Sequence, residues 1–393
     1  MRLYAALALA YLGWVDGLTS TPYQGKPSTR REILLHTGGL VVAAPTVLAY
    51  PSSSSSAETS LVPKVKAGRV TMSKTIQGYW QLAGGHGKYD VENVQRVMKD
   101  HVAAGITSFD TADIYGPSEA IIGPVAKDLG PSSCGVNTKL CIFNAGDVTK
   151  ESIRSRVLKS RSRCGGNIDA LQFFWADETN PKFVDVSLWL SEMREEGLFG
   201  ELGVTNFDVN CVRKMVKAGA QIRTNQVQHS ALDRRPIQSG QAQYCAENDI
   251  KLISFGTVGA GILSDAYLNR AKPGGGDIDS TSMRMYSSTA SRFGSWELVQ
   301  ELLSTMDGVA KSVRDSGRCP DCNISNIAQR YVLDTDPTNG CLLVGVRNSK
   351  HIAENVRTHQ FVLEKGEIED ISKVVEKRKG PKGDVWELER GYM

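Results

Sequence analysis

The sequence predicts an α/β fold, a single (β/α)8 TIM barrel, and three observations carry that expectation. Short runs rich in β-branched and aromatic residues recur eight times beyond residue 66. Stretches with helical spacing separate them, which calls for parallel strands joined by crossover helices, and a barrel is the economical closure of such a series. No G-x-G-x-x-G follows the first run, so an open doubly wound sheet is the alternative rather than the first reading.

Bulk properties agree. The 393 residues are 41% hydrophobic, enough for one large core or two modest ones. Net charge is +3, from 46 basic and 43 acidic residues, a balance that argues against nucleic acid as a partner. Eight cysteines in so long a chain are no dense disulfide framework.

Taken in order, residues 1–60 read as a targeting segment and flexible linker, with the barrel and a C-terminal extension over 61–393. ALALAYLGWV is an apolar run too short to span a bilayer comfortably and resembles the hydrophobic region of a signal peptide. TSTPYQGKPSTRR is basic, hydroxyl-rich and free of acid, as transit peptides are. Arg30–Arg31 stands before a second apolar run, a twin-arginine pattern. That run holds His36, Gly38, Gly39 and Pro45 and makes a poor membrane anchor, so no stable membrane insertion is expected after processing. PSSSSSAETS reads as linker. Three layers in series resemble the address of a plastid protein bound for the thylakoid lumen. A secretory signal with a propeptide, or an uncleaved tether, are the alternatives.

The candidate strands are 76–80, 107–112, 136–141, 170–175, 201–206, 224–230, 251–256 and 341–346. Between them, VENVQRVMKDHVAAG sets Val94, Val97, His101 and Val102 on one side of a helix. SEAIIGPVAKDLG offers Ser118 as a cap and closes on Gly130. In such barrels the chemistry sits at the carboxyl ends of strands.

There the sequence places Asp110 and Tyr115 after the second run and Lys139 near the end of the third. An ammonium beside a Tyr lowers the phenol's pKa, a carboxylate keeps the ammonium charged, and the Tyr protonates a carbonyl oxygen as hydride reaches its carbon. Taken singly, Asp110 reads as a helix cap, Tyr115 as packing and Lys139 as a solvated tip. Together, FDTADIYGPSE resembles the D-T-A-x-x-Y-G-x-x-E signature of the aldo/keto reductase family. The resemblance implies NADPH as cofactor, a small carbonyl compound as substrate, and Asp110, Tyr115 and Lys139 as catalytic residues. GELGVTNF is similar to the family's G-x-x-G-x-S-N-F, which implies that Thr205, Asn206 and Gln226 hold the nicotinamide carboxamide. Phe255 matches the aromatic that stacks on the nicotinamide. LLVGVRNSKHIAENV resembles the cofactor clamp, which implies Arg347 on the 2′-phosphate, with Gly345, Ser349, His351 and Asn355 nearby. An Arg fork suits phosphate, and a helix N-terminus after it favours anions.

One position departs from the pattern. The family carries a catalytic His at the end of the fourth strand, and here LQFFW puts Phe174 in its place. Phe donates no hydrogen bond. Either the enzyme works through the remaining three groups on a more apolar carbonyl, or the barrel is a nicotinamide-nucleotide-binding regulator with little turnover.

Other features are less decisive. Trp80 and His86 lie in the loop after the first strand, in a substrate pocket or in core and solvent respectively. His229 reads as pocket-lining and Asp177 as a loop cap. Cys319-Pro-Asp-Cys322 reads as a surface disulfide beside a helix starting near Ser325, whose N-terminus lowers thiol pKa; with no second pair nearby, no metal site is expected. Residues 271–295 read as a mobile lid or a disordered insertion, and the charged tail as a helix and then a strap, which is expected to pack on the barrel mouth and contribute to substrate selection.

Overall fold

The computed structural model describes residues 61–146 and 148–390. The targeting segment anticipated over 1–60 lies outside the described residues. Eight strands form one closed parallel barrel: β3 (Thr75–Gly78), β4 (Ser108–Asp110), β5 (Gly135–Ile142), β6 (Ala170–Trp175), β7 (Glu201–Thr205), β8 (Ile222–Gln228), β9 (Lys251–Phe255) and β10 (Cys341–Gly345), which pairs with both β9 and β3. These are the eight expected runs. The (β/α)8 expectation is borne out.

An antiparallel hairpin that the sequence reading did not anticipate precedes them, β1 (Lys64–Ala67) and β2 (Val70–Ser73). Its turn holds Gly68 at φ 59, a left-handed conformation that glycine adopts without steric cost. Val65, Ala67, Val70 and Met72 pack on Ile76, Ile253 and Cys341 at the amino-terminal end of the barrel. The Arg69 amide donates to Glu201 at the start of β7, 2.6 Å away. The hairpin therefore stoppers the end opposite the chemistry.

Helices α1 (Val91–Ala103), α2 (Ser118–Leu129), α3 (Lys150–Arg163), α4 (Phe183–Glu195) and α5 (Val209–Lys217) follow β3 to β7 in turn. Caps explain where they begin: Asp90, Thr149 and Asp208 accept from Asn93, Ser152 and Cys211 amides. Val94, Val97 and His101 of α1 are buried as expected, together with Met98. Ser118 is the first residue of α2 rather than its cap, and its hydroxyl accepts from Thr111 Oγ1 at 2.7 Å. Gly130 at φ 79 closes that helix.

After β8 come the short α6 (Arg235–Gln238) and α7 (Gln241–Glu247). After β9 the chain builds α8 (Thr281–Phe293), α9 (Trp296–Asp315) and α10 (Ile324–Thr335). Of residues 271–295, 281–293 are thus helical rather than a structureless insertion. Ser280 caps α8, and Met283, Met285, Tyr286, Ala290 and Phe293 bury its apolar face. The chain finishes with α11 (Ile352–Arg357), α12 (Lys365–Val375) and, past a strap, α13 (Glu387–Arg390).

The surface disulfide is corrected. Cys319 and Cys322 are buried free thiols, 1% and 2% exposed. Burial pushes the Cys322 thiol up to about 12, so desolvation overrides the helix N-terminus expected to lower it. No described helix is long and apolar enough to cross a membrane.

Candidate active site

Strand alternation points Asp110, Lys139, Gln172 and Gln226 into the barrel. Lys139 Nζ pairs with Asp110 Oδ2, with both side chains buried, and also donates to the Thr111 carbonyl at 2.9 Å. The other Asp110 oxygen accepts from Gln172 Nε2 at 2.6 Å and Gln226 Nε2 at 2.8 Å. Such a carboxylate is fully committed and cannot rotate. Tyr115 lies over this pair, with Lys139 Nζ 4.9 Å from its ring centroid. The expected trio therefore converges at one mouth.

Its electrostatics correct one expectation. Burial raises the Tyr115 phenol to about 12, with Lys139 pulling down and Asp110 pushing up. The ammonium does not lower it overall, because desolvation outweighs its pull and the Asp110 charge works against it. Burial is the largest single influence on Lys139 and acts to lower it, but the charges of Asp110 and Tyr115 and the hydrogen bond to Asp110 together hold the ammonium above its ordinary value. Tyr115 is thus a neutral acid at neutral pH, held over a permanent cation.

Around this core the mouth is aromatic. Phe174 is buried, with its ring centroid 5.6 Å from that of Phe143. Phe255, at the end of β9, meets Trp386 of the strap edge-on at 6.3 Å. From α8, Tyr286 lies over Gly256, where a Cβ would come within 2.4 Å of its ring. Gly256 is in the left-handed region at φ 73, so both backbone and space require glycine there.

The candidate cofactor residues divide. Asn206 sits in the left-handed region at φ 58, which Asn tolerates better than most, and its Oδ1 is buried without a partner. Thr205 Oγ1 donates to the Gln226 carbonyl at 3.0 Å. Gln226 itself is turned to Asp110 and Gln172. Gly345 lies against Gln81, and Arg347 is exposed with its guanidinium beside Gly87. Ser349 donates to Asp100 at 2.6 Å, His351 faces Glu354 at 2.8 Å, and Asn355 accepts from Gln329 at 3.3 Å. Beyond this clamp a helical turn, Ser349–His351, runs directly into α11.

A profile of the Aldo/keto reductase family matches residues 74–376, most of the chain and the whole barrel. The chain belongs to the aldo/keto reductase family. Among curated relatives, it is 26% identical to a chloroplastic pyridoxal reductase from Arabidopsis thaliana over 54% of this chain, spanning 64% of that relative, less than two thirds of its length. It is 23% identical to an aldo-keto reductase from Gibberella moniliformis, over 75% of this chain and 86% of that one. Among solved structures, the glycerol dehydrogenase AKR11B4 from Gluconobacter oxydans superposes with a TM-score of 0.66 at 19% identity, covering 81% of this chain and 97% of that one. The aldo-keto reductase AKR11C1 from Bacillus halodurans, in its holo form, gives 0.61 at 20%, covering 80% and 96%. At such identities the structures attest the fold, and family and relatives together attest an oxidoreductase.

Within this aldo/keto reductase barrel, the signature's Glu119 is a tie between elements. It accepts from Thr138 of β5 and from Arg163 at the end of α3, each at 2.6 Å. His229, expected to line the pocket, is fully buried with Nδ1 on Ser254 and Nε2 on Arg234, which leaves no ring nitrogen for a substrate. Burial drives its pKa well down, and the adjacent Arg234 adds to this. Trp80 stands edge-on to His86 at 4.9 Å, and His86 is bonded to Gly84 and to Ser282 of α8, so this loop is pinned by α8. Asp177 is the loop cap expected, accepting from the Thr179 amide. Sequence reasoning missed Gln172, Gln228, Tyr286, Trp386 and Arg390. Gln172 and Gln228 carried a signal, being polar residues at inward positions of buried strands. Trp386 and Arg390 arrive on the strap expected at the mouth, though no local pattern says which of its side chains turn inward, and Tyr286 arrives from α8.

Proposed function

We propose that this aldo/keto reductase reduces an aldehyde or ketone with NADPH, with Tyr115 as the proton donor. The observation that carries this reading is the buried Asp110–Lys139 pair beneath a protonated Tyr115 at the carboxyl ends of the strands. The residues present fit the cofactor. The unpartnered Asn206 Oδ1 is an acceptor for a carboxamide N–H, Phe255 offers a ring face, and exposed Arg347 offers a cation for a phosphate. NADPH, when bound, supplies the hydride.

The chain's own groups do the rest. Tyr115 donates its proton to the carbonyl oxygen as negative charge develops there. Lys139 stabilises the phenolate left behind, and Asp110, locked by Gln172 and Gln226, keeps Lys139 charged and aimed. Phe174, Phe143 and Trp386 exclude water and strengthen each of these interactions. The acid is neutral far above pH 7, so reduction is flat through neutral and mildly alkaline pH. Oxidation of the alcohol needs the phenolate and rises with pH toward about 12. A pH profile of both directions, with NADPH fluorescence quenching to follow binding, tests the reading. Reduction that falls off steeply near neutrality contradicts it.

A second reading is favoured by Phe174 and by Trp386 against Phe255: a nucleotide-binding regulatory barrel with little turnover. Losing one donor to an oxyanion typically costs about 100- to 1000-fold rather than all activity. Tight NADPH binding with no turnover on a panel of aldehydes selects this reading. For the N-terminal segment we propose a plastid address, in keeping with the chloroplastic relative. A fluorescent fusion of residues 1–60 that is secreted instead refutes it.

A further inference from the structure

The reductase reading leaves one buried charge without a task. Arg390 of α13 has a side chain only 1% exposed. Nη2 donates to the Asn206 carbonyl at 2.6 Å and the Trp175 carbonyl at 3.4 Å, and pairs with Glu178 Oε1 at 3.1 Å. Nε and Nη1 are buried with no partner at all. Its Cζ lies 6.0 Å from the Phe174 ring, at the position where the family's His is missing. Each buried N–H without an acceptor is destabilising, and Phe174 offers none of them a lone pair.

Other contacts hold the guanidinium in place. Glu389, next to it in the chain, forms a two-point pair with Arg235 at 2.8 and 3.0 Å, and Arg235 is backed by buried Asp233. Asp384 accepts from the Val209 amide at the start of α5 at 3.1 Å. The strap is therefore fixed at both ends of its last turn. The counterion is incomplete. Glu178 engages only Nη2, its second oxygen has no partner, and burial lifts its carboxyl to about 8 against the pull of Arg390.

We infer that Arg390 is a specificity-determining residue of the substrate pocket, and that the carbonyl substrate carries an oxyanion, a carboxylate or a phosphate ester, which its free N–H groups bind. This rests on the reductase reading of the same site. An apolar aldehyde leaves those donors unsatisfied, whereas an anionic one satisfies them and balances the charge. Specificity then comes from the strap, and Phe174 provides the apolar wall against which the anion is held.

The test compares 4-carboxybenzaldehyde, 4-formylphenyl phosphate and methyl 4-formylbenzoate on the full chain with NADPH. The wild type prefers one or both anions, and the two arms distinguish carboxylate from phosphate. Arg390→Met lowers the anion-to-ester ratio of kcat/KM by about 100-fold, mainly through KM, and Arg390→Lys by about tenfold, since it keeps charge without the fork. An equal loss on all three substrates, with a lowered melting temperature, means that Arg390 only ties the strap, and overturns the proposal. Calorimetric binding of benzoate and phenyl phosphate, with and without NADP+, needs no turnover. Binding to wild type that Arg390→Met abolishes supports the anion site even if no aldehyde is reduced, in which case the reductase reading alone fails. No binding to wild type, or equal binding to both forms, overturns the anion site.

Discussion

The two ends of this barrel are closed by different materials. The amino-terminal end is stoppered by a hairpin whose inward residues, Val65, Ala67, Val70 and Met72, are apolar and pack on strand residues of the same kind. The carboxyl end is covered by α8 and the strap, which bring Tyr286, Trp386 and Arg390 over polar groups left without partners, among them Asn206 Oδ1 and Gln228 Oε1. Burial at the first end stabilises through removal of apolar area from water. At the second it costs free energy, since buried donors and acceptors go unpaired. The hairpin end is not free of that cost, since Asn137 Oδ1 beside Met72 and Arg223 Nε beside the turn at Gly68 are also unpaired, but on the proposed reading only the unpaired groups at the mouth can meet a polar substrate.

Substitutions can break or sharpen that contrast. Tyr115→Phe removes the proton at the mouth and lowers the reductive kcat by about 1000-fold, while NADPH binding by fluorescence quenching persists. Met72→Ala at the stopper destabilises by about 3 kcal/mol in urea unfolding, through lost packing and a cavity, and leaves the anion-to-ester ratio unmoved. If that ratio shifts, the two ends are coupled and the contrast fails. Arg347→Ala weakens NADPH binding by about 30-fold through lost charge-assisted hydrogen bonds, with NADH little affected; equal losses for both cofactors contradict a 2′-phosphate role. Ser349→Ala is the smallest change, below about twofold in NADPH affinity, because its hydroxyl is bonded to Asp100.

The parts that could be read in the sequence share a physical cause. The barrel strands are local, apolar and separated by capped helices, so their number and order follow from spacing alone. Asp110, Tyr115 and Lys139 could be placed because strand ends in such a fold converge. The hairpin escaped notice because Lys64, Lys66 and Arg69 make it look polar, although K-A-G-R-V carries its turn. The sign of the Tyr115 shift was not legible, since the depth of burial that decides it is a tertiary quantity. Arg390 lies in the strap that the sequence places at the barrel mouth, but which of its side chains turns inward was not legible, since its return to Asn206 depends on the Glu389–Arg235 pair, partners far apart in the chain.

The pairing of β3 with β10 has a consequence for how the molecule comes into being. The cylinder is sewn shut by its first and last staves, Thr75 beside Leu342 and Gly78 beside Gly345, which meet across nearly the whole described chain. Until β10 has been synthesised, β3 presents a bare row of amides and carbonyls to any passing strand. So distant a seam makes folding slow, because closure of a very long loop precedes the contacts that reward it. The hairpin packs on Ile253 and Cys341 of the last two staves, so its own docking is completed only by the same closure.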